Sequence, residues 1–312
     1  MRLPEPIPLT QIDVAQMTGL LDEETQRYQE WYRWDFRATA ELVKQLVATR
    51  SLGGMALVDG GRVVGYSYFV IDDTKALIGD AYVCDVWASA ASERLLLATT
   101  LEAVREFSQV RRLESQPMML RYAYSHPKAV RHERMFLEVP LAEVRWPNGV
   151  QEPAGYRIEN WAWRAEEDAA QLLYRAYRGH MDSEINDQYR APGKSRSYLA
   201  NLIRYPVCGD FCPAASFTVT EKENGQTVGM VLTTVSEQVG HIAQLCVESS
   251  ARGRGLGRLL LWAALAKFSE LGCEYSTLTV TAANEVAIRL YNSAGYVERS
   301  RVAAYVWPGW PF

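Results

Sequence analysis

The chain has 312 residues, more than the roughly 100–200 of one compact domain, so two domains are the first expectation. Its 48% hydrophobic and 22% charged residues are an ordinary globular composition, which excludes a disordered, collagen-like or low-complexity chain. A net charge of −4 gives no general attraction for nucleic acid or an anionic membrane, and the longest apolar run, Leu259 to Ala266, falls far short of the ~20 residues that cross a bilayer.

In chain order, Met1-Arg2-Leu3-Pro4-Glu5-Pro6 lacks an apolar core and reads as an extended lead-in, not a signal peptide. Gly60-Gly61 is a turn that opens a half-buried strand running to Phe69. A further apolar strand, Ala81 to Trp87, and a long amphipathic helix follow. The same plan returns at Asn224-Gly225, a strong hairpin signal, with the strand His241 to Val247 and another long helix behind it. The chain therefore reads as two copies of one α/β unit, residues 1–148 and 149–312, joined at a turn near Trp146-Pro147-Asn148-Gly149.

The second copy is the clearer. Tyr156–Asn160 is a strand, Ala165–Tyr177 a helix, and Ser197–Ile203 a second helix after a polar loop. Strands are expected at Ala215–Thr220, Thr227–Val235 and Gly240–Val247. Leu256, Leu259, Leu260, Ala263, Ala264, Phe268 and Leu271 recur at helical spacing, and Gly272 ends that helix. Ser276–Thr281 is a strand, Asn284 caps a helix that Gly295 closes, and Arg301–Trp307 is the last strand. Five scattered cysteines (84, 208, 212, 246 and 273) suggest reduced thiols in a cytoplasmic protein. Cys208 and Cys212 lack the second ligand pair that zinc requires, so no metal is expected.

The most informative hexapeptide is Arg252-Gly253-Arg254-Gly255-Leu256-Gly257, set between a strand and a helix. Backbone N–H groups crowd at a helix N-terminus, and glycines let a phosphate approach the main chain; Arg252, Arg254 and Arg258 add positive charge. A dinucleotide-binding fingerprint would need glycine where Arg258 stands, and no Gly-Lys-Ser/Thr follows for a nucleoside-triphosphate loop. An ordinary glycine-rich turn remains the bland alternative.

The order strand, Arg-x-x-Gly-x-Gly, helix, strand, Asn284, then Ala287-x-x-Leu290-Tyr291-x-x-x-Gly295-Tyr296 resembles the GNAT family of acyl-CoA-dependent N-acyltransferases, over about Tyr156 to Trp307. The resemblance implies two α/β (α+β) GNAT-like domains, each with a mixed, mostly antiparallel sheet flanked by helices. It implies acetyl-CoA as cosubstrate. Its pyrophosphate would lie on Arg252, Gly253, Arg254, Gly255, Leu256 and Gly257, and its pantetheine arm along Leu245, Cys246 and Val247, with Asn284 also at the cofactor. Tyr291 falls where the family has the tyrosine that protonates the departing thiolate. A thiol pKa of roughly 8.5 and a tyrosine pKa of roughly 10 suit that transfer.

The implied activity is transfer of an acetyl group to a primary amine of a small molecule or peptide by direct attack. Only about one lysine-like amine in 2,500 is unprotonated at pH 7, so a base is needed. His241 matches by spacing the glutamate of histone-modifying members and is the candidate, although a strand histidine is equally a structural donor. The acidic loop Gly179 to Asp187 would attract a cationic amine, or simply be a solvated connection. A non-catalytic acyl-CoA-binding regulator is the alternative from another class, since it needs neither His241 nor Tyr291; a structural module for some other anion is the third.

In the first copy the matching turn, Trp87 to Arg94, has no glycine, and Glu93 would repel a pyrophosphate. Ala129-Val130-Arg131-His132-Glu133 aligns with Ala287 to Tyr291, which puts glutamate where the second copy has Tyr291. Both departures imply a degenerate copy. Two-copy members of the family exist, the mycothiol synthases among them, but no acceptor signature is shared with them here.

Overall fold

The structure is a computed structural model that describes residues 3–147, 149, 151–205 and 208–311, so Asn148 of the expected linking turn lies outside the described residues. The chain forms two compact units, Met1–Arg134 with Val302–Phe312, and Met135–Arg301. Among the described residues, no helix is long and apolar enough to cross a membrane.

The first unit runs β1 (Glu5–Pro8), α1 (Val14–Tyr32), α2 (Arg37–Ala48), β2 (Gly53–Asp59), β3 (Arg62–Asp72), β4 (Lys75–Val83), α3 (Ala90–Arg105), β5 (Arg112–Ser115) and the start of β6 (Val130–Pro140). Strands β1 to β4 make an antiparallel meander, and β5 adds in parallel to β4. Helix α3 buries Leu96, Leu97 and Leu101 against Leu57 and Ile78 of the sheet and Trp307 from the end of the chain. Fully burying side chains of this size is worth roughly 1.5–3 kcal/mol each.

The second unit holds β6 from Met135 onward, then β7 (Tyr156–Asn160), α4 (Glu166–Tyr177), α5 (Asp182–Ile185), α6 (Pro192–Arg204), β8 (Asp210–Phe211), β9 (Phe217–Glu221), β10 (Thr227–Ser236), β11 (Val239–Val247), α7 (Leu256–Glu270), β12 (Tyr275–Thr281), α8 (Glu285–Ala294) and β13 (Val297–Trp307), whose last residues count with the first unit. Its sheet order is β6-β12-β11-β10-β9-β7. Alternation along β10 feeds two cores. Val231 packs with Leu260, Leu261 and Phe268 of α7, while Met230 and Leu232 pack with Leu172 and Leu173 of α4 and Leu199 of α6.

One irregularity recurs in both units. The β3–β4 register steps from Tyr68↔Asp80 to Phe69↔Ile78, and β10–β11 steps from Leu232↔Gln244 to Thr233↔Ile242. Each bulge leaves one residue unpaired and bends its strand. In each unit the bulged strand then pairs in parallel with the next over a short stretch, Lys75–Ile78 with Arg112–Ser115 and Val239–Ile242 with Tyr275–Leu278. Asp80 thus occupies in the first unit the register position of Gln244 in the second. Both units are α/β with mixed, mostly antiparallel sheets flanked by helices.

Two expectations for the first unit are corrected. Residues 130–133 open β6 and are not a helix, so Glu133 is no counterpart of Tyr291. Glu93 does not face outward to repel an anion: it is 4% exposed and its carboxylate accepts the backbone N–H groups of Arg121 (3.0 Å) and Tyr122 (2.9 Å).

Candidate active site

Beyond the pairs Ile242↔Leu278, β11 and β12 part, while Leu245, Cys246 and Val247 stay paired to β10 on their other edge. The gap opens a cavity of about 640 Å³ walled by Leu245–Val247, the turn before α7, the first turns of α8, and the end of α4 with His180 and Met181. On the gap side, β11 main-chain groups lack a strand partner and must bond elsewhere.

At one end lies the glycine turn. Gly253 (φ +76) and Gly255 (φ +81) adopt left-handed conformations that favour glycine, and a Cβ at either would meet no heavy atom within 4 Å. Helix α7 starts directly after Gly255 without a side-chain cap, so its first N–H groups are left to an outside acceptor. The turn is therefore open enough, and rich enough in donors, to hold a pyrophosphate. The matching helix of the first unit is closed: Ser89 caps α3 by accepting the Ser92 N–H at 3.1 Å, and Glu93 sits in its first turn.

Of the arginines expected to surround an anion, Arg252 alone lines the cavity, and its fork is spent on main chain: Nε donates to Val247 O (3.1 Å) and a terminal nitrogen to Ala176 O (3.0 Å). It ties the end of β11 to the end of α4. Arg254 turns away to the Tyr156 hydroxyl and ring, and Arg258 lies over Trp262. Arg254 is not among the residues on the cavity wall.

Asn284 caps α8 through its side-chain oxygen, which accepts the Ala287 N–H at 3.2 Å, and it lines the cavity. Tyr291, two turns further on and 7% exposed, also reaches the wall, with its ring edge-on to Tyr296 at 5.8 Å. Tyr296 is fixed by its hydroxyl's 2.6 Å contact with Ser276. Cys246 lies on the same wall, its thiol pushed up to about 12 by burial, which leaves it uncharged. His241 is elsewhere. It is 6% exposed, absent from the wall, and its Nδ1 is 2.9 Å from the Thr277 hydroxyl; burial lowers its pKa to about 4.

A polar cluster beside the cavity escaped the sequence reading, and of its members Tyr177 lines the wall. Tyr177 at the end of α4 stacks on Tyr189 at 4.0 Å, and Gln244 of β11 donates to the Tyr177 hydroxyl while accepting from Tyr189 at 3.0 Å. These residues stand far apart in sequence and share no motif. In the acidic loop Asp187 is buried and paired with Lys194, while Asp182 accepts the Thr281 hydroxyl.

Residues 156–296 match the acetyltransferase (GNAT) family. The chain is 26% identical over 254 residues to a mycothiol acetyltransferase of Thermobispora bispora, covering 78% of this chain and 79% of that one. Its fold is similar to that of a GCN5-related N-acetyltransferase from Sphaerobacter thermophilus (TM-score 0.69, 16% identity, 98% of this chain and 96% of that one). It is also similar to a tandem GNAT protein from the clavulanic acid biosynthesis pathway (TM-score 0.61, 17% identity, 98% of each chain). The chain thus carries the GNAT-family acetyltransferase fold, and it is an acetyl-CoA-dependent N-acetyltransferase acting on an amine acceptor.

Proposed function

We propose that the second unit moves an acetyl group straight from acetyl-CoA to a primary amine held in the same cavity. The observation that carries this reading is the single cavity joining the uncapped, glycine-lined start of α7 to Tyr291 along the unpaired edge of β11. Acetyl-CoA supplies the activated acetyl group and a thiolate leaving group. Gly253 to Gly257 hold the pyrophosphate by main-chain N–H groups, and Leu245 to Val247 offer theirs to the pantetheine arm and to the oxygen that gains charge. Tyr291 gives its proton to the departing sulfur and regains one through water from the attacking nitrogen, which sheds a proton as the amide forms. His241 takes no part: a ring with a pKa of about 4 is too weak a base to keep a proton taken from an amine.

The first unit, in this reading, has lost the cofactor chemistry and binds no acetyl-CoA. The Ser89 cap supports it, because it takes up the Ser92 N–H, one of the helix-start donors a pyrophosphate would need.

The test is a thiol-release assay with acetyl-CoA across an amine panel. Small amines come first, since a relative is a mycothiol acetyltransferase, then peptide N-termini and lysine peptides. Acceptor-dependent thiol release is expected with one class. Tight acetyl-CoA binding with no acceptor-dependent release across the panel would refute the assignment of the reacting residues.

A further inference from the structure

His180 follows α4 through Gly179, whose φ of +73 turns the chain back onto the cavity wall. Its ring packs edge-on against Tyr177, with centroids 5.2 Å apart. Tyr177 lines the same cavity as Cys246 and Tyr291. The two ring nitrogens of His180 have different surroundings. Nδ1 accepts the backbone N–H of Asp182 at 3.2 Å, and Asp182 is itself anchored by the Thr281 hydroxyl at the end of β12. An Nδ1 that accepts leaves the neutral ring's proton on Nε2. The side chain keeps 21% of its surface exposed, its Nδ1 lies 3.6 Å from the Asp182 carboxylate, and His180 is among the residues that line the cavity.

We propose that His180, locked by Asp182 as the Nε2–H tautomer, donates a hydrogen bond to the acetyl carbonyl oxygen of the bound thioester. Burial and Arg252 lower the ring's pKa from 6.5 against the opposing pull of Asp182, so a neutral ring does this work near pH 7. As the amine nitrogen bonds to the carbonyl carbon, negative charge gathers on this oxygen and the hydrogen bond strengthens. It relaxes when the carbon–sulfur bond breaks and the sulfur takes its proton from Tyr291. No proton changes hands at His180. This role rests on the acetyl-transfer reading above, and it sets the acyl carbonyl between donors from both walls, the strand N–H groups and an imidazole.

The test exploits chemistry that a merely structural histidine would not share. Glutamine can place an amide N–H where Nε2–H stands, whereas alanine cannot. Calorimetric titration of full-length protein with acetyl-CoA and with free CoA reads the contact without turnover. Wild type and His180→Gln are expected to prefer acetyl-CoA by about 3- to 10-fold, the worth of one neutral hydrogen bond, and His180→Ala to lose that preference while still binding CoA. In turnover with the best amine, His180→Ala is expected to fall roughly 10²-fold and His180→Gln to keep most of its rate. A wild type with no preference for acetyl-CoA, or a glutamine variant as slow as alanine, would overturn the proposal. The latter outcome, with the alkaline or acid limb of the pH–rate profile removed, would make His180 a proton carrier instead. Wild-type protein that binds neither CoA species would overturn the acetyl-transfer reading itself, and this proposal with it.

Discussion

Substituting valine for Gly255 separates what the turn does for folding from what it does for binding. Valine would enter at φ +81 and ψ 1, immediately before the first residue of α7. A left-handed conformation costs an L-residue about 1–2 kcal/mol. No clash adds to that cost, because a Cβ there meets no heavy atom within 4 Å. For a unit of this size each kcal/mol lowers the melting temperature by about 2–4 °C, so a drop of about 2–8 °C is expected. Binding should suffer far more. The side chain would stand over N–H groups whose hydrogen bonds to a charged phosphate are worth about 1.5–3 kcal/mol each. Loss of two such bonds amounts to about 3–6 kcal/mol, or roughly 10²- to 10⁴-fold in affinity for acetyl-CoA. Gly225→Val is the matched control, since Gly225 (φ +72) also has open space but lies in the β9–β10 hairpin. It should show a similar thermal shift with unchanged affinity. Thermal unfolding and calorimetric titration measure the two effects. A folded Gly255→Val protein that binds acetyl-CoA as tightly as wild type would refute the assignment of this turn.

Tyr291→Phe should leave cofactor affinity nearly unchanged and lower turnover by roughly 10²–10⁴-fold, and steady-state kinetics showing normal turnover would reassign the ring to packing. Titration of the full-length protein should give one acetyl-CoA per chain, whereas two equivalent sites would contradict the closed start of α3. Asp80 of the first unit is buried, its carboxyl pushed up to about 6 by burial although Tyr28 (2.6 Å) and the Ala81 N–H bond to it. A pKa raised on folding stabilises below the unfolded value and loses that contribution as pH rises through the folded one. The step from 3.8 to about 6 is worth about 3 kcal/mol, lost between about pH 4 and pH 7. Asp80→Asn should remove this loss, and urea unfolding at both pH values that finds the same slope in variant and wild type would count against it.

Local signals made the glycine-turn side of the candidate site legible in the sequence. The glycine turn, the Asn284 cap and the Ala287-to-Tyr291 spacing are each fixed by contiguous residues, and the structure gathers Gly253, Gly255, Asn284 and Tyr291 around one cavity. The cluster beside the cavity was silent because Tyr177, Tyr189 and Gln244 meet only through tertiary packing. Side-chain direction was equally illegible: Arg254 sits inside the motif yet bonds to Tyr156. At β6 the error was one of period. Spacing Ala129 and Glu133 on a helical repeat overlooked the buried run Phe136 to Val139 that makes the segment a strand.

The membership of β13 has a consequence for how the protein is made. The second unit is one unbroken stretch, Met135–Arg301, whereas the first takes its last strand from residues beyond it, with Tyr305–Trp307 pairing to Ser115–Leu113 of β5. During synthesis at about 5–20 residues per second, the second unit can therefore close its sheet while the earlier-made first unit still presents β5 as a bare edge. Such an edge invites pairing with other chains. Here it is short and carries Arg112 and Glu114, bonded to each other, which makes the waiting edge a poor template for aggregation. The half made first therefore cannot complete its sheet until the last residues of β13 have been made.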